Sequence, residues 1–319
     1  MLLEKLQALR SRANKLRFAR TSARVRQTAP LIYTSSPDVW VVSMVGHDSV
    51  DMYLVAVKSF MVFFVDASIE VINDGSLTAN DLALLREQIP GVYVSNSADV
   101  DTGRCPSYSS WKRLFRIIER TQTSYVVQLD SDTVAAGPMV EIERLASTNT
   151  GFMIGDGHWT TPIDPKHVQS IAGRWHATGP QAFLERVLAD LDLFPAGQRY
   201  LHGCAGFAGY PRGSLSREAV EAMSLRIEAG IGKDNWHKWG SEQAISNCLI
   251  SLTPNACTLP WPKYRNYMFP ATNDPFTAAC FIHFVGTYRY RDTVYSQAVE
   301  QFYGYYNSLI SPKPRARAG

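Results

Sequence analysis

Tyr125-Val126-Val127-Gln128-Leu129-Asp130-Ser131-Asp132 is the stretch on which the fold turns. An apolar run of this length, closed by polar residues, reads as a strand buried on both faces, as in a parallel sheet covered by helices. Carboxylates just past its carboxyl end lie where open α/β sheets bind ligands. Side chains at i and i+2 of extended backbone point the same way. Asp130 and Asp132 can therefore share a hard divalent cation and leave coordination positions for phosphate oxygens. The plainer alternative is a helix N-cap with an adjacent turn. Asp-x-Asp also occurs at 99/101 and 190/192. The first of these lies in a polar loop and reads as a solvated turn. The second falls in a stretch with helical spacing, where residues two apart do not face each other.

On both sides of this strand, short apolar runs alternate with amphipathic stretches, the pattern of βα units. Val39–Val45 predicts a buried first strand, 50–60 a helix, 68–72 a second strand closed by Asn73-Asp74-Gly75-Ser76, and 78–88 a helix. A short strand over 92–94 follows, then a helix over 109–120 with basic residues on its outer side. Later come a short helix at 141–146, a strand at 151–154, one amphipathic helix over 181–194 and a strand at 205–209. The last predicted elements are helices at 216–229 and 242–250 and a strand at 281–284. No linker-like stretch interrupts 31–310, so the expectation is a single domain there, with a basic amphipathic helix at 1–30 before it and a basic tail at 311–319 after it.

The net charge of +3 over 319 residues conceals this division. The first thirty residues hold eight Lys/Arg against one acid, Glu4, and the tail adds Lys313, Arg315 and Arg317. The body between them carries 21 basic and 28 acidic residues, which argues against a nucleic-acid-binding domain. Five cysteines without a CxxC pair fit neither a zinc ribbon nor a disulfide framework and suggest a reducing compartment. The most apolar stretch, 52–65, is broken by Lys58 and is shorter than the roughly 18 to 20 residues of a membrane span. The amino terminus lacks the apolar core of a secretory signal. Its Leu2, Leu6, Leu9, Ala13 and Leu16 fall at helical spacing, with arginines and lysines largely around the other sides. That pattern suits packing on the body or a partner, an in-plane helix on a membrane surface, or an organelle presequence. The expected location is cytoplasmic, with peripheral contact at the inner face of a membrane.

Further segments bear on the metal reading. An Asp at a strand end, as in Val71-Ile72-Asn73-Asp74-Gly75-Ser76, can hydrogen-bond a base or ribose, although alone it is an ordinary tight turn. Phe281-Ile282-His283-Phe284-Val285-Gly286-Thr287-Tyr288-Arg289 places a histidine at the end of an apolar run, a glycine three on and an arginine three beyond. Histidine can complete a metal site, glycine allows backbone to approach a phosphate, and arginine binds phosphate oxygens in bidentate fashion. A histidine among phenylalanines is otherwise an ordinary core or surface residue. Between these segments lie the small-residue run Leu201-His202-Gly203-Cys204-Ala205-Gly206-Phe207-Ala208-Gly209 and Ser241-Glu242-Gln243, which opens a helix.

In this order the segments resemble nucleotide-sugar glycosyltransferases of the GT-A fold, most of all the family 8 group of glycogenin and related galactosyltransferases, over roughly residues 38–290. The resemblance implies an α/β GT-A (Rossmann-like) fold with a mixed, mostly parallel sheet flanked by helices. It implies that Asp130, Asp132 and His283 bind Mn²⁺ or Mg²⁺, which bridges the diphosphate of a nucleoside-diphosphate sugar, a UDP-sugar first. Val45, Gly46 and Asp74 would border the nucleoside, and Gly286 and Arg289 the phosphates. The small-residue run and Glu242/Gln243 would face the donor sugar and a carbohydrate or glycoconjugate acceptor. Three departures are Arg289 where the family has lysine, Cys204-Ala205-Gly206 where it has Asn-Ala/Ser-Gly, and Glu242-Gln243 where it has Asp-Gln.

The chemistry is that of leaving-group stabilisation. A cation held by Asp132 and its neighbours, together with Arg289, would offset charge on a departing nucleoside diphosphate. Inversion would also require a carboxylate base, for which Glu242 comes first and Asp156 or Asp234 next. Retention, which the HxxGxxR resemblance favours, could leave the proton to a donor phosphate oxygen. Trp236 and Trp239, just before Glu242, are a candidate stacking platform for the acceptor or plain core residues. A sugar-nucleotide nucleotidyltransferase would share the sheet and the metal, but Met44-Val45-Gly46-His47-Asp48 lacks the basic phosphate loop expected there. The remaining alternative is a non-catalytic homologue that binds a partner or a membrane.

Overall fold

The computed structural model describes residues 2–270 and 274–310; the basic tail at 311–319 lies outside the described residues. Helix α1 (Leu2–Ala23) leads to β1 (Val39–Val45), α2 (Val50–Met61), β2 (Ser68–Asn73), α3 (Ala79–Gln88), β3 (Tyr93–Asn96), α4 (Ser109–Thr121) and β4 (Tyr125–Leu129). Next come β5 (Thr133–Ala135), α5 (Val140–Ser147), β6 (Phe152–Ile154), α6 (Pro165–Ala172), α7 (Pro180–Glu185) and β7 (Cys204–Tyr210). The chain continues through α8 (Arg217–Ile231), α9 (Lys233–Trp236), α10 (Ser241–Ser251), β8 (Cys257–Leu259), β9 (Tyr264–Asn266), β10 (Phe281–His283) and α11 (Val294–Ile310).

Seven strands form the main sheet in the order β3-β2-β1-β4-β7-β6-β8. The first four run parallel, β7 lies antiparallel between β4 and β6, and β8 runs parallel to β6. The sheet is thus mixed and mostly parallel, as expected. Alternation along the strands divides the apolar side chains between its two faces. Val41, Ile69, Val71, Val127 and Leu129 pack with α2 and α11, and Val42, Ile72 and Val126 pack with α4, α8 and α10. A second, three-stranded sheet runs β5-β10-β9. The chain passes from one sheet to the other at Asp130-Ser131-Asp132, which therefore forms the corner between them.

Several expectations are corrected. The arginines of α4 turn inward rather than to solvent: Arg116 and Arg120 each reach the buried carboxylate of Glu70 on β2 at 2.6 Å, and Arg113 reaches Asp130. A charged side chain inside strand β2 needs such partners to offset the cost of leaving water. The helix expected over 181–194 ends at Glu185 and continues as turns, with Asp192 in the left-handed region at φ 47°, so Asp190 and Asp192 are turn residues. On α1, the leucine stripe is not the packed face. Leu9 and Leu16 are 63% and 56% exposed, while Phe18, Thr21 and Ser22 on the opposite side are buried. Phe18 stacks on Tyr295 of α11 at 4.1 Å, and the Tyr303 hydroxyl donates to the Thr21 carbonyl at 2.8 Å. Among the described residues, no helix is long and apolar enough to cross a membrane. All five cysteines are free thiols.

Candidate active site

Strand β4 delivers Asp130 to the carboxyl edge of the main sheet, where its N–H donates to the Gly206 carbonyl on β7 at 2.9 Å. Three residues later β5 pairs antiparallel with β10 in a register that sets His283 opposite Thr133, and the Phe284 N–H donates to the Asp132 carbonyl at 2.7 Å. This pairing brings a histidine more than 150 positions downstream beside the corner carboxylates. One ligand atom from each of Asp130, Asp132 and His283 falls within 4.8 Å of the others. The imidazole fits because residue 206 is glycine: a Cβ there would meet His283 Cε1 at 2.3 Å. His283 Nδ1 lies 2.8 Å from Asn266 Oδ1 on β9, and Nε2 lies 3.2 Å from Asp132 Oδ1. With Nδ1–H held by Asn266, Nε2 faces the carboxylates, the orientation in which metal-ligating histidines are held.

Two guanidinium groups balance the carboxylates. Arg113 Nη1 lies 2.5 Å from Asp130 Oδ1, and Arg289 Nη1 lies 3.0 Å from Asp132 Oδ2. Burial pushes the Asp130 carboxyl above the usual range, with the Asp132 charge adding to burial and the Arg113 charge opposing it. Asp132 is also penalised by burial, but His283 and Arg289 outweigh that and hold it below the usual range. Burial works against a charged His283, and Cys204 and Asp132 more than offset it, raising its pKa well above the ordinary histidine value. Oxygen and imidazole donors converging at one buried corner are a donor set suited to Mn²⁺ or Mg²⁺. A cavity of about 380 Å³ opens here, lined among others by Asp48, Ser49, Met52, Asp130, Ser131, Asp132 and Arg289, and by Lys15 from α1.

The other expected residues fall around this centre at different distances. Val45 ends β1, and the neighbouring Gly46 is packed so closely on Asp74 that a Cβ would meet Asp74 Oδ2 at 2.2 Å. Asp74 Oδ1 accepts from the N–H and hydroxyl of Ser76, and the Ser76 hydroxyl accepts from the His47 N–H at 2.9 Å. Gly286 borders an adjoining cavity with Gln7, Ala8 and Ser11 of α1, and the space beside its Cα is open. Glu242, at the start of α10, is only 7% exposed and accepts a hydrogen bond of 2.5 Å from the Tyr108 hydroxyl. That same hydroxyl accepts from the N–H groups of Gly240, Ser241 and Glu242. Gln243 is joined to Cys204 and to Gln181 on α7.

Asp156 lines a second cleft of about 970 Å³, together with Trp261, Arg265, Asn266, Tyr267 and Met268. Asn266 connects that cleft to His283. Asp234 is exposed on α9. Trp236 is fully buried, edge-on to Trp111 at 5.8 Å, so it is a core residue and no platform, whereas Trp239 is 80% exposed. The sequence reading missed Arg113, Asn266, Tyr108 and Lys15. Arg113 and Lys15 reach the site from helices whose inner faces were misassigned. Asn266 reaches it only through β9–β10 pairing, which no local pattern announces.

No family model matches the sequence, and no curated protein matches it. Among solved structures, the chain is similar to the bifunctional glycosyltransferase WbbM, with a TM-score of 0.56 and 15% identity over 86% of this chain and 51% of that one. The fold is the GT-A glycosyltransferase fold. The chain spans about half the length of WbbM. Likeness also extends to the galactosyltransferase LgtC in complex with donor and acceptor sugar analogues, with a TM-score of 0.47 and 14% identity over 86% of this chain and 98% of that one. For the glycosyltransferase GlyE of Streptococcus pneumoniae the TM-score is 0.47, with 12% identity over 88% and 66%. Within the GT-A frame, the corner between the two sheets is the place where carboxylates, imidazole and guanidinium meet.

Proposed function

We propose that this protein is a metal-dependent glycosyltransferase that moves a sugar from a nucleoside-diphosphate sugar, a UDP-sugar first, to a hydroxyl of a carbohydrate or glycoconjugate. The observation that carries the reading is the convergence of Asp130, Asp132 and His283 within 4.8 Å at the carboxyl edge of a GT-A sheet, with Arg289 at 3.0 Å from Asp132. These three residues would hold Mn²⁺ or Mg²⁺. When bound, the cation neutralises charge on the departing diphosphate. Arg289 adds a fixed positive group at the same place, where donors positioned beforehand cost no reorganisation during reaction. Asn266 and Gly206 keep the imidazole in its ligating orientation. Val45, Gly46 and Asp74 border the nucleoside, and Gly286 leaves room for backbone to lie close to a phosphate.

Retention of anomeric configuration suits this geometry better than inversion. The acids lining the metal-side cavity are Asp48, Asp130 and Asp132. Glu242 is buried and already engaged by Tyr108, so its proposed role is to position α10 and the charge around Arg113 rather than to deprotonate the acceptor. A donor phosphate oxygen can take that proton instead. The acceptor lies in the cleft of Asp156, Trp261 and Tyr267, reached from the metal side past Asn266, with the Trp261 ring available to stack on a sugar face.

The outward face of α1 presents Leu6, Leu9, Ala13 and Leu16 with Lys5 and Arg12 on one side and Arg10 and Arg17 on the other. This supports peripheral contact with an anionic membrane surface, since apolar burial and charge attraction act together there. The test of the reaction is a panel of nucleotide sugars assayed with MnCl₂ for hydrolysis or transfer, with product configuration read by NMR. Metal-dependent turnover of at least one donor with retention is expected. Turnover unaffected by chelation would overturn metal dependence, and an inverted product would overturn the assignment of the proton to phosphate.

A further inference from the structure

We propose that α1 is part of the donor site and that Lys15 supplies a cation to the donor's diphosphate; this rests on the nucleotide-sugar reading above. Lys15 lines the cavity of Asp130, Asp132 and Arg289 although it lies more than a hundred positions away in the chain. The cavity's acids are Asp48, Asp130 and Asp132, and its cations are Lys15, Arg113 and Arg289. The two guanidinium groups are committed to Asp130 and Asp132 at 2.5 and 3.0 Å. Among the described residues, Lys15 has no ion-pair or hydrogen-bond partner, so of the three lining cations it is the one whose charge no carboxylate neutralises. An ammonium on a flexible stem follows a phosphate as a point charge, without the directional demand of a guanidinium.

The placement of Lys15 is fixed from both sides along the helix. Ser11, one turn before it, borders the adjoining cavity with Gly286, and Phe18, one turn after it, is buried, stacks on Tyr295 at 4.1 Å and lies 5.5 Å from Tyr290. Asn14 Nδ2 donates to the Tyr290 carbonyl at 3.1 Å, one residue past Arg289. The helix that carries Lys15 therefore also braces the segment that carries Arg289. Farther along, Arg24 pairs with Glu300 at 2.7 Å and Lys58 Nζ donates to Thr28 Oγ1 and the Ala29 carbonyl, each at 2.8 Å. These contacts tie α1 and the segment after it to α11 and α2. Arg17, two positions from Lys15, points to the other side of the helix.

The experiment is calorimetric titration of the full chain with UDP and with GDP in MnCl₂, at low and moderate salt, for wild type, Lys15→Ala, Lys15→Arg and Arg17→Ala. Lys15→Ala is expected to bind the nucleotide about tenfold more weakly, in line with a charge-assisted contact to phosphate. Its affinity should also depend less on salt. Lys15→Arg should keep most of the affinity, Arg17→Ala should match wild type, and all four proteins should melt alike. Equal losses in Lys15→Ala and Arg17→Ala would reduce the effect to net charge and overturn the assignment. So would a Lys15→Ala protein that binds like wild type, while leaving the nucleotide-sugar reading intact. If wild type itself binds neither nucleotide, that reading falls and this inference falls with it.

Discussion

A methyl group at position 206 would sit 2.3 Å from Cε1 of His283, so the identity of a residue on β7 decides whether a residue on β10 can reach the carboxylate corner. Gly206→Ala is expected to displace the imidazole, weakening Mn²⁺ binding by about tenfold or more, the usual cost of disturbing a ligand's support. The added methyl should also destabilise the fold by about 1–3 kcal/mol through overpacking. Mn²⁺ titration followed by electron paramagnetic resonance, with a melting curve alongside, separates the two effects; unchanged metal affinity would remove His283 from the site. At this scale the sequence was partly legible. Asp130, Asp132 and His283 stood out because acids after a buried strand and a histidine closing an apolar run break the local pattern. Asp74 and Gly46 lie side by side past the ends of β2 and β1, with the Asp74 carboxylate held by Ser76. Arg113 was unreadable as a site residue: a basic residue on an amphipathic helix looks solvated until a buried acid is known to lie opposite it.

Elements were more legible than their faces. The strands of the parallel half and most helices lie where apolar periodicity put them, because an alternating or 3.6-residue pattern survives whatever packs against it. Two kinds of error remained. Helix α11 went unread although Tyr295, Ala298, Val299, Phe302 and Tyr306 form a regular buried stripe, and of the second sheet only β10 was legible, because β5 and β9 are three residues long and carry no apolar run. On α1 the leucines suggested the packed face, whereas Phe18 and small polar residues pack and the leucines look outward. That inversion leaves α1 with one face packed on the body and an apolar face exposed. Replacing Leu6, Leu9 and Leu16 together by serine is expected to abolish co-sedimentation with vesicles containing phosphatidylserine while leaving UDP affinity unchanged. Retention of vesicle binding by that variant would exclude the leucine face as the contact.

Across the whole molecule, the charge division along the chain acquires a spatial meaning. The acidic body contains the carboxylate corner, and the basic amino-terminal helix lies against it rather than trailing from it, with one lysine turned into the cavity and leucines flanked by arginines turned away. The GT-A sheet accounts for where the corner is, and the second sheet accounts for how His283 reaches it. What the chain does depends on whether that corner holds a cation and, through it, a nucleoside diphosphate. Isothermal titration of UDP and GDP into wild type and Asp132→Ala, with MnCl₂ and again with excess chelator, tests this most directly. Binding by wild type is expected only when metal is present, and none by Asp132→Ala despite an unchanged circular dichroism spectrum and melting curve. Binding that survives chelation, or an Asp132→Ala protein that binds as wild type does, would contradict it.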